Sequence, residues 1–182
     1  YFSSSGQRVV DLTSNTQVQG RKVTVTDGAS GGAEFNIGIG SPVLSGSGKV
    51  SVGTYPLVAE NTVLTSANFS NKLVLQGNLE VKTKSLGVSV SGGKSKPYDG
   101  NVQMLSLTLG LATSLTGDEV TAAGTGVYAG KNVGASNYTV SGITLSGSHA
   151  FNYVVQGGSN AQITGTDGQI TTRSLAVVPT VG

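Results

Sequence analysis

Cysteine and tryptophan are absent from the 182-residue sequence, and histidine occurs once, at His149. Without cysteine the chain has no disulfide, so it must be held by apolar burial and backbone pairing alone. Zinc sites need three or four Cys, His or carboxylate ligands, and a serine nucleophile usually needs a histidine base and an orienting acid. His149 lies in a Gly-Ser-His-Ala-Phe-Asn stretch that contains no Gly-x-Ser-x-Gly elbow. We therefore predict that the chain is not an enzyme and holds neither a metal nor a cofactor.

Charge is also scarce. Charged residues make up 11% of the chain, well below the ~25% of a typical domain. The net charge of +2 is not gathered into a basic cluster, so we expect no nucleic-acid partner. The nine acidic residues are scattered, and none forms an Asp-x-Asp-x-Asp-Gly calcium loop. No apolar run approaches the roughly 18 residues of a membrane-spanning helix, so we expect no membrane insertion.

What the sequence does contain is typical of short strands joined by tight turns. It has 28 Gly residues together with many Ser, Thr, Asn and Val residues. Apolar residues alternate in several stretches, as in 33–40, 137–147 and Lys22–Gly28, which ends in an Asp-Gly hairpin signal. No window carries apolar residues at helical spacing over three turns, and the most helix-like stretch, 117–130, contains four Gly. The fold class predicted is all-β.

A repeated motif suggests two domains. Each half of the chain contains a basic-Ser-Leu triplet, Lys84-Ser85-Leu86 in the first and Arg173-Ser174-Leu175 in the second. Taken as the closing motif of a unit of roughly 90 residues, it predicts tandem immunoglobulin-like antiparallel β-sandwiches in an elongated array. The expected domains are 1–87 and 88–177, and 178–182 would be a linker or the start of another repeat. For the first domain, an Ig-like repeat and a β-solenoid cap both remain open.

Five blocks of the second half carry a likeness to a known family. They are "KPYDGN" (Lys96–Asn101), "GDEV" (Gly117–Val120), "YAGKNVG" (Tyr128–Gly134), "VSGITLSGSHAFNYVV" (Val140–Val155) and "QITTRSLAV" (Gln169–Val177). From Val88 to Val177 the chain resembles the YDG-type repeat of very large bacterial exoproteins. These include haemagglutinin-like adhesins exported by two-partner secretion and adhesins of the biofilm matrix. The family often has Thr-Thr after Asp-Gly, where this chain has Asn101-Val102.

The resemblance implies a secreted adhesin, released into the biofilm matrix or held at the bacterial cell surface or outer membrane. The first half resembles a bacterial Ig-like repeat only loosely. Because the chain starts at Tyr1 and not at a Met, we expect it to be a fragment of a longer protein.

The Tyr-Asp-Gly block itself reads as a structural corner. Pro97 has a fixed φ that presets a turn, Asp99 can accept backbone N–H bonds, and Gly100 can adopt a positive φ. We expect the ring of Tyr98 to be buried against the edge of the sandwich. The other residues expected to serve the fold are Lys131, Asn132, Gly134, Asn152 and Tyr153.

Two kinds of surface site remain as alternatives. Weak candidates for contact with an acidic polysaccharide are Lys94, Lys96, Tyr98 and Lys131. The sequons at Asn68 and Asn137 are potential glycosylation sites.

The function expected is that of a stalk segment, which extends an adhesin and presents a distal region for attachment and biofilm formation. Its partners would be neighbouring repeats of the same chain, and a polysaccharide or host-surface ligand stays open. The alternative is a carbohydrate-binding module that uses exposed tyrosines, from Tyr55, Tyr98, Tyr128 and Tyr138. A third class is a protein contact through an unpaired edge strand, although we expect the isolated fragment to be a monomer.

Overall fold

The computed structural model describes residues 18–19, 22–26, 31–65, 73 and 75–178. Over these residues the fold is all-β, as predicted, with strands and the short 3₁₀ helices Ala150–Asn152 and Gly158–Asn160. Asn68 lies outside the described residues. Within the described part of the chain, no helix has the length and apolarity needed to cross a membrane.

The chain divides into two compact units. Unit 1 comprises residues 1–43 and 53–81, and unit 2 comprises residues 44–52 and 82–182. A short segment, 44–52, therefore belongs to unit 2, although the residues that precede and follow it in the sequence belong to unit 1.

The described residues of unit 1 form a five-stranded sheet in which each strand pairs antiparallel with the next. Its strands are β1 (Val18–Gln19), β2 (Lys22–Thr26), β3 (Gly32–Ile39), β4 (Gly53–Leu64) and β5 (Asn78–Val81). Val23 on β2 lies opposite Phe35 on β3, and both side chains are buried. Cross-strand pairs of apolar residues of this kind stabilise a sheet.

Unit 2 contains a four-stranded sheet and a three-stranded sheet. Its strands are β6 (Lys84–Gly92), β7 (Ser95–Pro97), β8 (Thr108–Ala112), β9 (Thr121–Tyr128), β10 (Gly134–Ser146), β11 (Tyr153–Val155) and β12 (Ile163–Thr171). The sheet orders are β7-β12-β10-β9 and β11-β6-β8. The β7–β12 and β11–β6 pairs are parallel, where the sequence predicted antiparallel pairing throughout. The two parallel pairs join segments about 70 residues apart, which no local turn signal reveals.

The core of unit 2 draws residues from both of its sheets. The buried cluster includes Val90 on β6, Tyr128 on β9, Val140 on β10 and Ile170 on β12. The basic-Ser-Leu triplet expected to end the first domain lies inside unit 2, on β6, with Leu86 fully buried.

A bulge keeps the long strand β10 facing this core. Tyr138 and Val140 are buried two residues apart, as the period of a strand requires, but the next buried residue is Ile143. The pairing with β9 shifts between Ser141 and Thr144, and Gly142 there has a φ of +61°. The extra residue changes which face the odd-numbered side chains occupy, so Ile143 turns inward.

Candidate functional site

The Tyr-Asp-Gly corner follows the short edge strand β7. Lys96 on β7 lies opposite Ile170 on β12, and the Tyr98 amide donates to the Thr171 carbonyl at 2.9 Å. The chain then turns at Gly100, which has a φ of +81°. This is a conformation that glycine adopts at little cost, as the sequence predicted for this position.

Lys96 is the centre of the corner. The residue is only 2% exposed. Its Nζ donates to Asp99 Oδ1 at 2.7 Å, to the Asn101 carbonyl at 2.9 Å and to Asn101 Oδ1 at 2.9 Å. These three acceptors match the three N–H donors of an ammonium group. The Nζ also lies 5.8 Å from the ring centroid of Tyr128, within the range of a cation–π contact.

The partners of Lys96 in turn hold the backbone of the turn. Asp99 Oδ1 accepts the Asn101 amide at 3.1 Å, and Asn101 Oδ1 accepts the Gln103 amide at 3.0 Å. The hydrogen bond from Lys96, followed by that from the Asn101 amide, lowers the pKa of Asp99 below its ordinary value. One buried ammonium therefore fixes the five residues that follow it.

The expectation that Tyr98 is buried was wrong. Tyr98 is 38% exposed, and the buried aromatic behind the corner is Tyr128, at 2%. Side chains alternate along a strand, and on β7 Ser95 and Pro97 are exposed while Lys96 points inward. The sequence suggested Lys96 only as a weak candidate for contact with a polysaccharide, and it did not reveal that Lys96 is buried, with acceptors three and five residues further on.

The other lysine candidates do not form a cationic surface with Lys96, whose ammonium is buried and fully bonded. Lys94 pairs with Asp167 at 2.7 Å, and this hydrogen bond is the main cause that raises the pKa of Lys94 and lowers that of Asp167. Lys131 and its neighbour Asn132 are exposed in the loop before β10. Gly134 begins β10 with a φ of +130°.

A second polar cluster of unit 2 holds a hairpin from earlier in the chain. We call this segment, residues 44–52, the docked hairpin. It is closed by a bridge between Leu44 and Val50 and by hydrogen bonds between Ser45 and Lys49 and between Gly48 and Ser45.

Three side chains of unit 2 accept backbone N–H groups of the docked hairpin. His149 Nε2 accepts the Gly46 amide at 2.9 Å. Asp118 Oδ1 accepts the Ser47 amide at 2.7 Å, and Asn152 Oδ1 accepts the Val52 amide at 2.7 Å. Since these three contacts are made to the main chain, they hold the backbone of the hairpin directly.

Asp118 is the most strongly bonded acceptor. Besides Ser47, it accepts the Tyr153 hydroxyl through Oδ2 at 2.6 Å. The same hydroxyl accepts the Leu115 amide at 3.2 Å. Desolvation pushes the pKa of Asp118 upward, but hydrogen bonds from Tyr153, Ser45 and Ser47 outweigh it and lower the pKa to about 2. Burial, and then the bond to Asp118, raises the pKa of Tyr153.

His149 lies between two backbone donors. Its Nε2 faces the Gly46 amide, and its Nδ1 faces the Glu119 amide at 3.0 Å. A neutral imidazole has one acceptor nitrogen, so one of the two amides can be bonded at a time. The Ser148 hydroxyl, which lies 3.2 Å from Nδ1, donates to Glu119 Oε2 at 2.8 Å.

The sequence suggested Asn152 and Tyr153 as residues that serve the fold, but it did not reveal Asp118 and His149 or that the four form one cluster. Asp118 lies in "GDEV", and His149, Asn152 and Tyr153 lie in "SHAFNY". The hairpin partners of Asp118, His149 and Asn152 are 71 to 103 residues earlier in the chain. The partners of Tyr153, which are Asp118 and Leu115, are 35 and 38 residues earlier, so no local spacing connects these groups. Among the described residues, no three His, Cys, Asp or Glu side chains are grouped as a metal site would require.

The corner and the second cluster both lie in the part of the chain that a family model covers. Residues 82–171 match the YDG domain. The start of the match places β6, with its Lys84-Ser85-Leu86 triplet, inside the YDG domain, six residues before the start expected from the sequence. No curated protein and no solved structure matches the chain significantly.

Proposed function

We propose that the chain is a stalk segment of a large secreted bacterial adhesin, in which the YDG domain is one of a series of β-sandwich repeats. The stalk holds a distal binding region away from the cell, for attachment and biofilm formation. Its partners are the neighbouring repeats, and it acts at the bacterial surface or in the biofilm matrix. No chemical step is part of this function.

The observation that carries this proposal is that the polar residues of the family motifs form hydrogen bonds within the protein itself. In the YDG domain, Lys96, Asp99 and Asn101 bond to one another and to the backbone of their own turn. Asp118 and His149 likewise bond to the docked hairpin. Polar groups that form internal hydrogen bonds stabilise the fold and are not free to bind a ligand.

Two further features suit an exported repeat. The chain has no cysteine, so it can fold outside the cell without an oxidation step. The core of the YDG domain draws residues from both of its sheets, which supports the β-sandwich proposed for it. The proposal extends this fold to unit 1 as a related module.

Deleting or duplicating the YDG domain in the parent adhesin tests the stalk function. We expect binding of the purified adhesin to its ligand to stay unchanged, because the domain makes no ligand contact. The distance between the cell surface and the distal tip should change in step with the number of domains. An adhesin that loses ligand affinity without a change in reach contradicts the proposal.

A carbohydrate-binding module is the second candidate, and one observation favours it. Of the four tyrosines expected to contact sugars, Tyr55, Tyr128 and Tyr138 are buried, whereas Tyr98 is 38% exposed. Exposed aromatic rings are the groups on which sugars stack. A glycan array with the wild-type chain and Tyr98→Ala separates the two functions, because specific binding that is lost in the variant supports the module and refutes the stalk.

Asn137 offers a related test of the surface. It is exposed on β10, at the irregular pairing with β12 between Ser136 and Tyr138. The sequon is therefore accessible to a glycosyltransferase, and mass spectrometry of the protein from its native cell shows whether Asn137 carries a sugar.

A further inference from the structure

The segment that follows β12 exposes large apolar side chains. Residues 172–178 have no regular secondary structure, and all of them are exposed. Leu175 is 88% exposed, Val177 is 80% exposed and Val178 is 84% exposed. Three apolar side chains within four residues form a patch that is costly to leave in water. We call residues 172–177 the terminal segment.

The terminal segment repeats the sequence that opens the YDG domain. Residues 172–177 read Thr-Arg-Ser-Leu-Ala-Val, and residues 83–88 read Thr-Lys-Ser-Leu-Gly-Val. Four of the six positions are identical, and the likeness ends before Pro179, which stands where the first copy has Val90. The environments of the two copies are opposite, because Leu86 is 0% exposed where Leu175 is 88% exposed.

In the YDG domain, the first copy forms most of the central strand of the three-stranded sheet. It pairs in parallel with β11, where Leu86 lies opposite Val155, and antiparallel with β8, where Val88 lies opposite Leu111. The Leu86 carbonyl accepts the Gln156 amide at 2.8 Å. A domain without this strand would leave β8 and β11 without a common partner.

The terminal segment fits the place of the first copy. The two differing positions are 84 and 87 in the first copy. Lys84 is exposed, so Arg is tolerated there. A Cβ added at Gly87 would lie 3.6 Å from Ala112 Cβ and 3.8 Å from Gln156 Oε1, which are ordinary contact distances.

We infer that the terminal segment is the first strand of a second YDG domain that follows this one, aligned with residues 83–88. The inference rests on the proposed array of repeats and names the contact that joins them. The basic-Ser-Leu triplet then opens a domain instead of closing one. Leu175 becomes buried in the next domain at the position of Leu86, and Val177 becomes half-buried at the position of Val88.

The simplest test replaces the first copy by the second within this chain. The double variant Lys84→Arg, Gly87→Ala gives residues 83–88 the sequence of the terminal segment. We expect its thermal unfolding midpoint to equal that of the wild type. A clear drop in the midpoint contradicts the inference, because the terminal segment would then not fit the strand position.

A tandem chain tests the burial directly. Residues 1–177 are joined to residues 89–178, so that the terminal segment supplies the only first strand for the second copy. We expect the Leu175 and Val177 amides to exchange hydrogen on the order of 100-fold more slowly than in the 182-residue chain, because strand amides in a core open rarely. Leu175→Asn should unfold the second copy in the tandem and leave the midpoint of the 182-residue chain unchanged.

A reference tandem separates failure of the inference from failure of the array. In it, residues 1–178 are followed by residues 82–178, so that the second copy keeps its own first strand. If the reference folds in both copies but Leu175 stays unprotected in the test tandem, the inference is wrong and the array stands. The second copy of the reference lacks the docked hairpin, as each later repeat of a directly joined array would. If this copy fails to fold, a YDG domain requires the hairpin, and both the proposed array and the inference are contradicted.

Discussion

Lys96 shows how one buried residue can give a motif that lies in a surface turn a structural role. Burying a charged ammonium is costly unless every donor is paired, and Lys96 meets this condition with acceptors from Asp99 and Asn101. The Lys-Pro-Tyr-Asp-Gly-Asn sequence therefore supplies a buried cation together with its own counter-charge. Tyr98, which stands in the middle of the motif, remains on the surface.

Carboxylates of this kind make stability depend on pH. The pKa of Asp118 is about 2 in the folded chain, against an ordinary value of 3.8, and the pKa of Asp99 is also lowered. A carboxyl group with a lowered pKa contributes stability above its unfolded pKa, and this contribution is lost as the pH falls through the folded value. We predict that the free energy of unfolding falls between about pH 4 and pH 2.

Urea unfolding at several pH values checks this prediction with Asp118→Asn as the comparison. The amide of Asn cannot ionise, so the variant should be less stable than the wild type at pH 6 but should lose less stability between pH 4 and pH 2. Parallel curves for the two proteins would show that Asp118 is not a source of the acid sensitivity.

The Tyr153 hydroxyl joins three parts of the domain. It donates to Asp118 and accepts the Leu115 amide, and Tyr153 is 6% exposed. We predict that Tyr153→Phe lowers the free energy of unfolding by about 1–2 kcal/mol, because two half-buried partners, Asp118 and the Leu115 amide, lose a hydrogen bond. Tyr98→Phe is the control, since Tyr98 is exposed. Equal stability of the two variants in urea would refute the role given to Tyr153.

At the scale of elements, local patterns predicted strands well and long-range pairings poorly. Alternation correctly placed strands over 33–40 and 137–147, where β3 and β10 lie, because the side-chain period is a local property. The parallel pairing of β6 with β11 and the docking of residues 44–52 join distant segments. Nothing in the local sequence encodes such contacts.

The docked hairpin requires glycine at position 46. A Cβ added at Gly46 would lie 2.1 Å from the Gly117 carbonyl oxygen and 2.8 Å from His149 Cε1, so any side chain must displace the hairpin. We predict that Gly46→Ala exposes the amides of Ser47 and Val52, which donate to Asp118 and Asn152. Hydrogen exchange at these two amides should be faster.

Gly130→Ala is the matched control for this variant. A Cβ there meets nothing within 4 Å, so exchange at Ser47 and Val52 should stay as in the wild type. Unchanged protection of both amides in Gly46→Ala would mean that the hairpin is not held by the contacts described.

At the scale of the whole molecule, the sequence identified the YDG domain more reliably than its limits or its interior. Five short blocks were sufficient for the likeness, and the family match covers residues 82–171. The roles within those blocks needed coordinates, because burial is a tertiary property. Lys96 and Tyr98 belong to one motif, and the sequence of this motif does not show that the lysine is buried and the tyrosine ring exposed.

The central claim is that the Lys-Pro-Tyr-Asp-Gly-Asn motif of the YDG domain stabilises the fold. Two lysines, one buried and one on the surface, provide the test. Lys96 is 2% exposed with three hydrogen bonds, whereas the side chain of Lys94 is 36% exposed and pairs with the exposed Asp167. The measurement is urea unfolding of Lys96→Met beside Lys94→Met. The account predicts a loss of about 2–4 kcal/mol for Lys96→Met and little change for Lys94→Met. If Lys96→Met is as stable as the wild type, the corner does not hold the fold and the account is contradicted.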